Sequence, residues 1–207
     1  MEDMTDLADH ARRLRALSPS CGPVRLIAVD GHAGSGKSTF AGRLATALGD
    51  APVLRLDDLA THEELFGWTC RLRAQVLDPL SRGEPARYLP YDWTARRFGP
   101  PRTLDPAPVL LVEGVGAGRS SVRPFLAALL WIEGDSAASW EQGRLRDGPG
   151  LSEFWDGWTV AEQRHFAGDP SLPFADAVIR RVPEGYEWLE GPHATAGASH
   201  FVTEGEA

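Results

Sequence analysis

One stretch of the sequence decides the fold: Gly31-His32-Ala33-Gly34-Ser35-Gly36-Lys37-Ser38. It fits the pattern G-x-x-x-x-G-K-[S/T] of a P-loop, in which glycines permit a tight turn and backbone N–H groups surround phosphate oxygens. The apolar run from 24 to 30 before it is typical of a buried strand, and apolar residues at helical spacing follow it from 38 to 48. This order of strand, loop and helix predicts a phosphate-binding site rather than an incidental glycine-rich turn.

The residues of the predicted loop are expected to hold a nucleoside triphosphate together with Mg²⁺. Lys37 would reach the β and γ oxygens, and the Ser38 hydroxyl would hold the metal ion. The helix that begins at Ser38 adds the positive end of its dipole. The expected nucleotide-binding set is Gly31, His32, Ala33, Gly34, Ser35, Gly36, Lys37, Ser38 and Thr39.

Lysine usage singles out one position in this loop. The chain has 21 Lys and Arg residues together, and Lys37 is the only lysine among them. A protein that uses arginine for every other positive charge needs, at this position, a compact ammonium that a planar guanidinium cannot replace. The composition therefore supports the motif independently of its spacing.

Length and charge limit the class of protein. With 207 residues the chain is long enough for one α/β domain with a substantial core. The formal net charge of −8 argues against general binding to nucleic acid, and no apolar run reaches the length of a membrane span. The acidic start lacks the order of a secretory signal, and the two cysteines have no metal or disulfide spacing, so we expect a cytoplasmic protein. The sequence leaves open whether the chain forms a homo-oligomer.

Strand and helix patterns alternate along the chain. This alternation predicts an α/β fold of the P-loop NTPase type, with three layers, about five mostly parallel strands and helices on both faces. After the first strand, four further parallel strands are expected at 53–56, 109–112, 129–133 and 175–180, with an edge strand at 186–189.

The chain divides into three parts. Residues 1–20 are expected to hold an N-terminal helix, residues 21–190 the P-loop domain, and residues 191–207 a flexible tail. Within the domain, residues 83–107 are rich in Pro, Gly and Arg and are interpreted as a long loop of functional importance.

Acidic residues follow two of the predicted strands. Glu113 ends the strand at 109–112 and is a candidate to orient Mg²⁺; a solvated loop acid is the alternative. Asp57 and Asp58 follow the strand at 53–56, where a carboxylate could accept the proton of an attacking hydroxyl. Capping of a following helix is the alternative for this pair.

Several segments, taken in order, resemble the uridine kinase and phosphoribulokinase group of P-loop kinases, including actinobacterial proteins of uridine kinase-like type. The resemblance covers roughly residues 22–182. It rests on GHAGSGKST from Gly31, RLDDL from Arg55, PYDW from Pro90, LLVEGV from Leu110, RLRDG from Arg144 and FWDGWTVAEQRHFAGD from Phe154.

The resemblance implies an ATP- and Mg²⁺-dependent phosphotransferase whose acceptor is a small molecule with a hydroxyl group, a uridine-like nucleoside first. It implies a small lid at about 144–152 that carries Arg144 and Arg146 as clamps on the γ-phosphate. The implied catalytic residues are Lys37, Asp57, Arg144 and Arg146. The implied acceptor-binding residues are Asp57, Asp58, Tyr91, Trp93 and Arg96, and the implied metal ligands are Ser38 and Glu113.

Two positions depart from this group. Ala60 replaces the aromatic residue that usually follows the base motif, and Arg96 stands where its nucleoside kinases carry a histidine that contacts the base. Arg96 could favour an anionic acceptor, or it could be solvated. A nucleotide-dependent switch or regulatory ATPase without a small-molecule acceptor is the alternative function.

Overall fold

The computed structural model describes residues 2–193, with side chains from Leu7 onward. The strands in this part of the chain are β1 (Arg25–Asp30), β2 (Val53–Arg55), β3 (Ala86–Tyr88), β4 (Tyr91–Asp92), β5 (Arg97–Phe98), β6 (Arg102–Leu104), β7 (Val109–Glu113), β8 (Ala128–Ile132), β9 (Ala177–Val182) and β10 (Gly185–Glu190). The α-helices are α1 (Glu2–Ala16), α2 (Lys37–Ala47), α3 (Thr69–Leu72), α4 (Asp78–Ser81), α5 (Ser136–Asp147) and α6 (Ser152–Gly168). A π-helical turn, Arg73–Leu77, joins α3 to α4.

A central sheet of six strands organises the molecule in the order β10-β9-β8-β1-β7-β2. All neighbours pair in parallel except β9 and β10, which pair antiparallel at the edge. The predicted mostly parallel α/β sheet is confirmed, and β10 is the expected edge strand. Because β1 lies between β7 and β8, the loops at the carboxyl ends of these strands meet beside the P-loop.

Alternate residues of the strands pack against helices on opposite faces of the sheet. Ile27 and Val29 of β1 face Phe40 and Leu44 of α2, together with the inner side of α1. Leu26 and Ala28 of the same strand face the other way, towards the helical stretch from α3 to α4. The sheet therefore has an apolar layer on each side, as its near-continuous hydrophobic strands require.

Residues 83–107, expected as one long loop, contain four short strands. β3 pairs antiparallel with β6, and β4 pairs antiparallel with β5. Strands of two or three residues are too short to produce a recognisable alternation of apolar and polar residues, which is why the sequence pattern did not predict them.

The expected lid lies between α5 and α6. α5 ends at Asp147, a 3₁₀ turn occupies Pro149–Leu151, and α6 begins at Ser152. At the end of the described chain, the backbone N–H groups of Gly191 and His193 donate to the carbonyls of Asp176 and Ala175, and the rest of the predicted tail lies outside the described residues. Across residues 2–193, every helix is too short or too polar to span a membrane.

Candidate active site

The P-loop turns tightly around its glycines. Gly34 has φ +83°, and a Cβ there would lie 1.9 Å from the carbonyl oxygen of Ser139 on α5. Gly36 has φ +93° and caps the start of α2. Lys37 is buried, and its Nζ donates a 2.7 Å hydrogen bond to the carbonyl of His32, across the loop. The ammonium is thus held over the turn that the motif predicts for phosphate.

Ser38 and Glu113 meet beside Lys37. The Ser38 hydroxyl donates a 3.0 Å hydrogen bond to Glu113 Oε1, and the Glu113 side chain is buried. Burial raises the pKa of this carboxyl above its ordinary value, and the charge of Asp57 raises it further, while Lys37 and the Ser38 bond act in the opposite direction. A hydroxyl and a carboxylate are the hard oxygen ligands that suit Mg²⁺.

The donor set fits a metal ion that shares its coordination with substrate. Among the described residues, no group of three or more His, Cys, Asp or Glu side chains could hold a metal ion by itself. Mg²⁺ commonly binds through one or two protein ligands, with water and phosphate oxygens completing its shell. Ser38 and Glu113 are enough for such a site and too few for an all-protein metal centre.

A cavity of about 710 Å³ opens over the P-loop. Its floor includes Lys37, Ser38 and Glu113. The wider lining comes from the P-loop, the segments after β2 and β7, the β4–β5 hairpin and both lid helices, and it includes Ala33, Gly34, Asp57, His62, Trp93, Thr94, Val115, Gln142, Gly143, Arg146, Asp147, Leu151, Phe154, Trp155 and Trp158. The cavity therefore connects the predicted phosphate site with the segments predicted to bind an acceptor.

Asp57 lies in this cavity, at the end of β2. Its side chain is open to the cavity but surrounded by protein, and this burial raises the pKa of its carboxyl. The charge of Lys37 lowers the pKa and that of Asp58 raises it. A carboxyl with a raised pKa, close to the lysine that would hold the phosphates, has the placement and basicity of a general base.

Aromatic rings form one wall of the cavity. His62 and Trp93 lie with ring centroids 4.8 Å apart, and Phe154 lies 5.8 Å from Trp93. Trp158 continues the wall 5.9 Å from Phe154. The indole N–H of Trp93 donates to the carbonyl of Asp57 at 3.0 Å, so the ring wall is attached directly to the candidate base.

Three of the predicted acceptor residues lie outside the cavity lining. The Tyr91 side chain is buried, and its hydroxyl is 3.0 Å from His62 Nδ1. Asp58 accepts hydrogen bonds from Tyr88 and Arg102. Arg96 is exposed, has φ +52° and lies 3.6 Å from Glu63. Of the predicted acceptor residues, only Asp57 and Trp93 reach the cavity.

The two predicted lid arginines point in different directions. Arg146 lines the cavity, and its guanidinium donates to both oxygens of Asp147, at 2.6 and 2.9 Å. Arg144 lies on the other side of α5, where it bonds to Asp156 at 2.7 Å. Because successive residues of an α-helix are rotated by about 100°, side chains two residues apart point about 200° apart, to opposite sides of the helix.

Asp30 is a site residue that the sequence interpretation missed. This fully buried carboxylate at the end of β1 accepts hydrogen bonds from the backbone N–H groups of Gly31, Gly116 and Gly118, at 2.7, 2.9 and 2.8 Å. Burial raises its pKa although these bonds act against the shift. Asp30 joins the first residue of the P-loop to the loop after β7. An acid at the end of a strand before a glycine was the available signal.

Glu162 is the second residue missed. It lies on α6 with no exposed surface, and its carboxylate accepts four hydrogen bonds from three elements. Oε1 is 2.7 Å from His32 Nδ1 and accepts from Trp140 at 3.0 Å, and Oε2 accepts from Ala33 N–H at 3.2 Å and from Trp158 at 2.8 Å. No sequence pattern marks it, because a single acid within an amphipathic helix is usually solvated.

The fold and the P-loop geometry together define the class: an α/β protein with the fold of P-loop kinases. The chain superposes on a possible uridine kinase from Bacillus stearothermophilus with a TM-score of 0.59 and 16% identity, over 86% of this chain and 99% of that one. It also superposes on a provisionally named fructose transport system kinase from Silicibacter sp. TM1040 with a TM-score of 0.52 and 22% identity, over 76% of this chain and 88% of that one. Neither a protein-family model nor a curated protein matches the sequence.

Proposed function

We propose that this chain transfers the γ-phosphoryl group of ATP to a hydroxyl of a small molecule, with a uridine-like nucleoside as the first candidate acceptor. One observation carries the proposal: a single cavity is lined both by Lys37, Ser38 and Asp57 and by a set of aromatic rings. A protein that only binds or hydrolyses a nucleotide needs the first set alone. The kinase names of the two structural neighbours agree with this proposal.

The residues divide the reaction among them. The acceptor oxygen forms a bond to the γ-phosphorus, the bond from that phosphorus to the β–γ bridging oxygen breaks, and ADP leaves. Asp57 takes the proton of the acceptor hydroxyl, and Lys37 with Arg146 neutralises charge on the transferred group. Mg²⁺, held by Ser38 and Glu113, supplies further neutralisation of the phosphates when bound.

The aromatic wall suits a flat acceptor. His62, Trp93, Phe154 and Trp158 offer ring faces and edges on which a planar base can stack. Within the described lining the cations are Lys37 and Arg146, both assigned to the phosphates, and Arg96 is paired with Glu63 outside it. No lysine or arginine of the described lining is left to bind a carboxylate or phosphate on the acceptor, which favours an uncharged one.

The test is a screen of ATP consumption with Mg²⁺ over nucleosides, sugars and vitamin precursors. We expect a nucleoside to raise ADP formation well above the rate in water, with a phosphorylated product detected by mass spectrometry. Lys37→Ala provides the control for contaminating kinases, because it should lose the stimulated rate. If no compound exceeds the water rate although the protein binds ATP, the phosphotransferase proposal fails and the nucleotide switch takes its place.

A further inference from the structure

Glu162 carries a charge that the protein surrounds with donors. Each of its four partners can donate: two indole N–H groups, one backbone N–H and the His32 imidazole. Burial would raise the pKa of the carboxyl, but the bonds from His32, Trp158, Trp140 and Ala33 outweigh burial and lower it. Glu162 is therefore an anion at neutral pH, and its charge is stabilised by these four hydrogen bonds.

The same carboxylate connects the two halves of the cavity. Oε2 accepts from the N–H of Ala33, in the P-loop, and from the indole of Trp158, in the aromatic wall. Both residues line the cavity, and Glu162 itself does not. His32, on the other oxygen, is held edge-on by Trp131 and Phe166, with ring centroids 5.5 and 5.3 Å away. The first half of the P-loop thus has little freedom to move independently of α6.

We propose that Glu162 is a positioning residue that fixes the P-loop and the aromatic wall relative to one another, so that nucleotide affinity depends on a residue of the acceptor side. The inference rests on the proposed function for the identity of the two halves. It assigns to α6 a part in nucleotide binding through Ala33, although α6 contributes no residue to the P-loop. A carboxylate is needed because an amide at this position would turn an NH₂ group towards N–H donors.

The experiment measures binding of a non-hydrolysable ATP analogue, AMPPNP with Mg²⁺, by calorimetry. Glu162→Gln keeps the shape of the side chain and removes its charge, and we expect it to weaken AMPPNP binding by about 10-fold or more. Trp158→Phe keeps the carboxylate and removes one donor, and we expect it to weaken binding by roughly 3-fold. In the double variant the two effects should not add, because both act through Oε2.

Trp155→Phe is the matched control. Trp155 is also a buried indole of α6 that lines the cavity, but its N–H donates to Asp147, at 3.1 Å. Whatever effect Trp155→Phe has on the free energy of AMPPNP binding, this effect and that of Glu162→Gln should add within experimental error. If Glu162 had a merely structural role, Glu162→Gln and Trp158→Phe would lower the melting temperature without weakening AMPPNP binding.

Two results overturn the inference. The first is a folded Glu162→Gln protein with AMPPNP affinity within twofold of the unchanged protein. The second applies if Glu162→Gln does not fold: Trp158→Phe binding AMPPNP as tightly as the unchanged protein. Failure of the proposed function looks different, since AMPPNP would then bind and respond to these substitutions while no acceptor is phosphorylated.

Discussion

The hydroxyl of Ser38 and the carboxylate of Glu113 are joined by a 3.0 Å hydrogen bond across 75 residues of sequence. The bond links the first turn of α2 to the end of β7 and so brings the two candidate metal ligands together. Glu113 has a raised pKa because it is buried, and secondly because Asp57 carries a like charge nearby. The fold therefore disfavours the ionised form of both carboxylates, Asp57 and Glu113.

Asp57→Asn should stabilise the nucleotide-free protein at neutral pH while it lowers turnover. The raised pKa of Asp57 means that folding favours its protonated form, so its charge costs stability once pH rises through the folded-state pKa. The substitution removes that cost, and it also removes the like charge that raises the pKa of Glu113. We expect a higher melting temperature at about pH 7, and a difference that shrinks towards about pH 4, where an unfolded carboxyl is itself half protonated.

The control for this pH dependence is Asp105→Asn, which alters an exposed carboxylate and should leave the melting temperature unchanged at both values. A melting temperature that falls equally at both pH values in Asp57→Asn would contradict the argument. Kinetics supply a second check: turnover should decline with acid at a higher pH than an ordinary aspartate would produce, because Asp57 must be ionised to accept a proton.

Arg146→Ala and Arg144→Ala distinguish two arginines that are both predicted from the sequence to bind the γ-phosphate. Arg146 lines the same cavity as Lys37 and Ser38, so under the proposed function its loss should lower kcat by about 100-fold or more. Arg144 is paired with Asp156 on the other side of α5, so its loss should change kcat by only a few-fold. Steady-state kinetics with saturating ATP measure both. Equal losses would mean that α5 rotates to bring Arg144 over the phosphates.

The parts predicted from the sequence are those with local signals. A glycine-rich loop between an apolar strand and an amphipathic helix has a clear pattern, and acids at strand ends, such as Asp57 and Glu113, can be placed beside that loop from the sequence. The parts not predicted depend on contacts between residues that are far apart in the sequence. The resemblance implies that Tyr91 binds the acceptor, yet its side chain is buried and contacts His62, because a two-residue strand turns it inward.

The tryptophans of α6 show why residues that line the cavity are hard to predict from spacing. Their helical spacing with Phe154 is typical of a core face, and Trp155 and Trp158 are indeed buried. They also line the cavity, because the core on this side of the molecule is itself the cavity wall. Glu162 gave no signal for the same reason: its partners are scattered over 130 residues of sequence and only the fold assembles them.

Asp30→Asn should destabilise the protein although it keeps the side chain's shape. The carboxylate accepts three backbone N–H groups, and an amide would offer one oxygen to them and turn a donor towards the rest. Leaving buried donors unpaired costs about 1–3 kcal/mol of unfolding free energy per group. Urea denaturation measures the loss, with Asp105→Asn again as the exposed counterpart. An unchanged midpoint would mean that water replaces the carboxylate.

Two helix glycines offer a paired test of how α5 packs on α6. A Cβ on Gly143 would lie 2.2 Å from Cη2 of Trp155, whereas a Cβ on Gly42 of α2 would meet no atom within 4 Å. Glycine to alanine in an exposed helix interior stabilises by about 0.5–1 kcal/mol, so Gly42→Ala should raise the unfolding free energy. Gly143→Ala gains the same helix propensity but forces a rigid indole to move, at a cost of about 1–3 kcal/mol. We therefore expect opposite signs in urea denaturation. The displaced ring should also break the bond between Trp155 and Asp147, the partner of Arg146, which would appear as a changed KM for ATP in Gly143→Ala alone. If both substitutions stabilise the protein equally, α5 and α6 can separate freely, and the lid is not held by this contact.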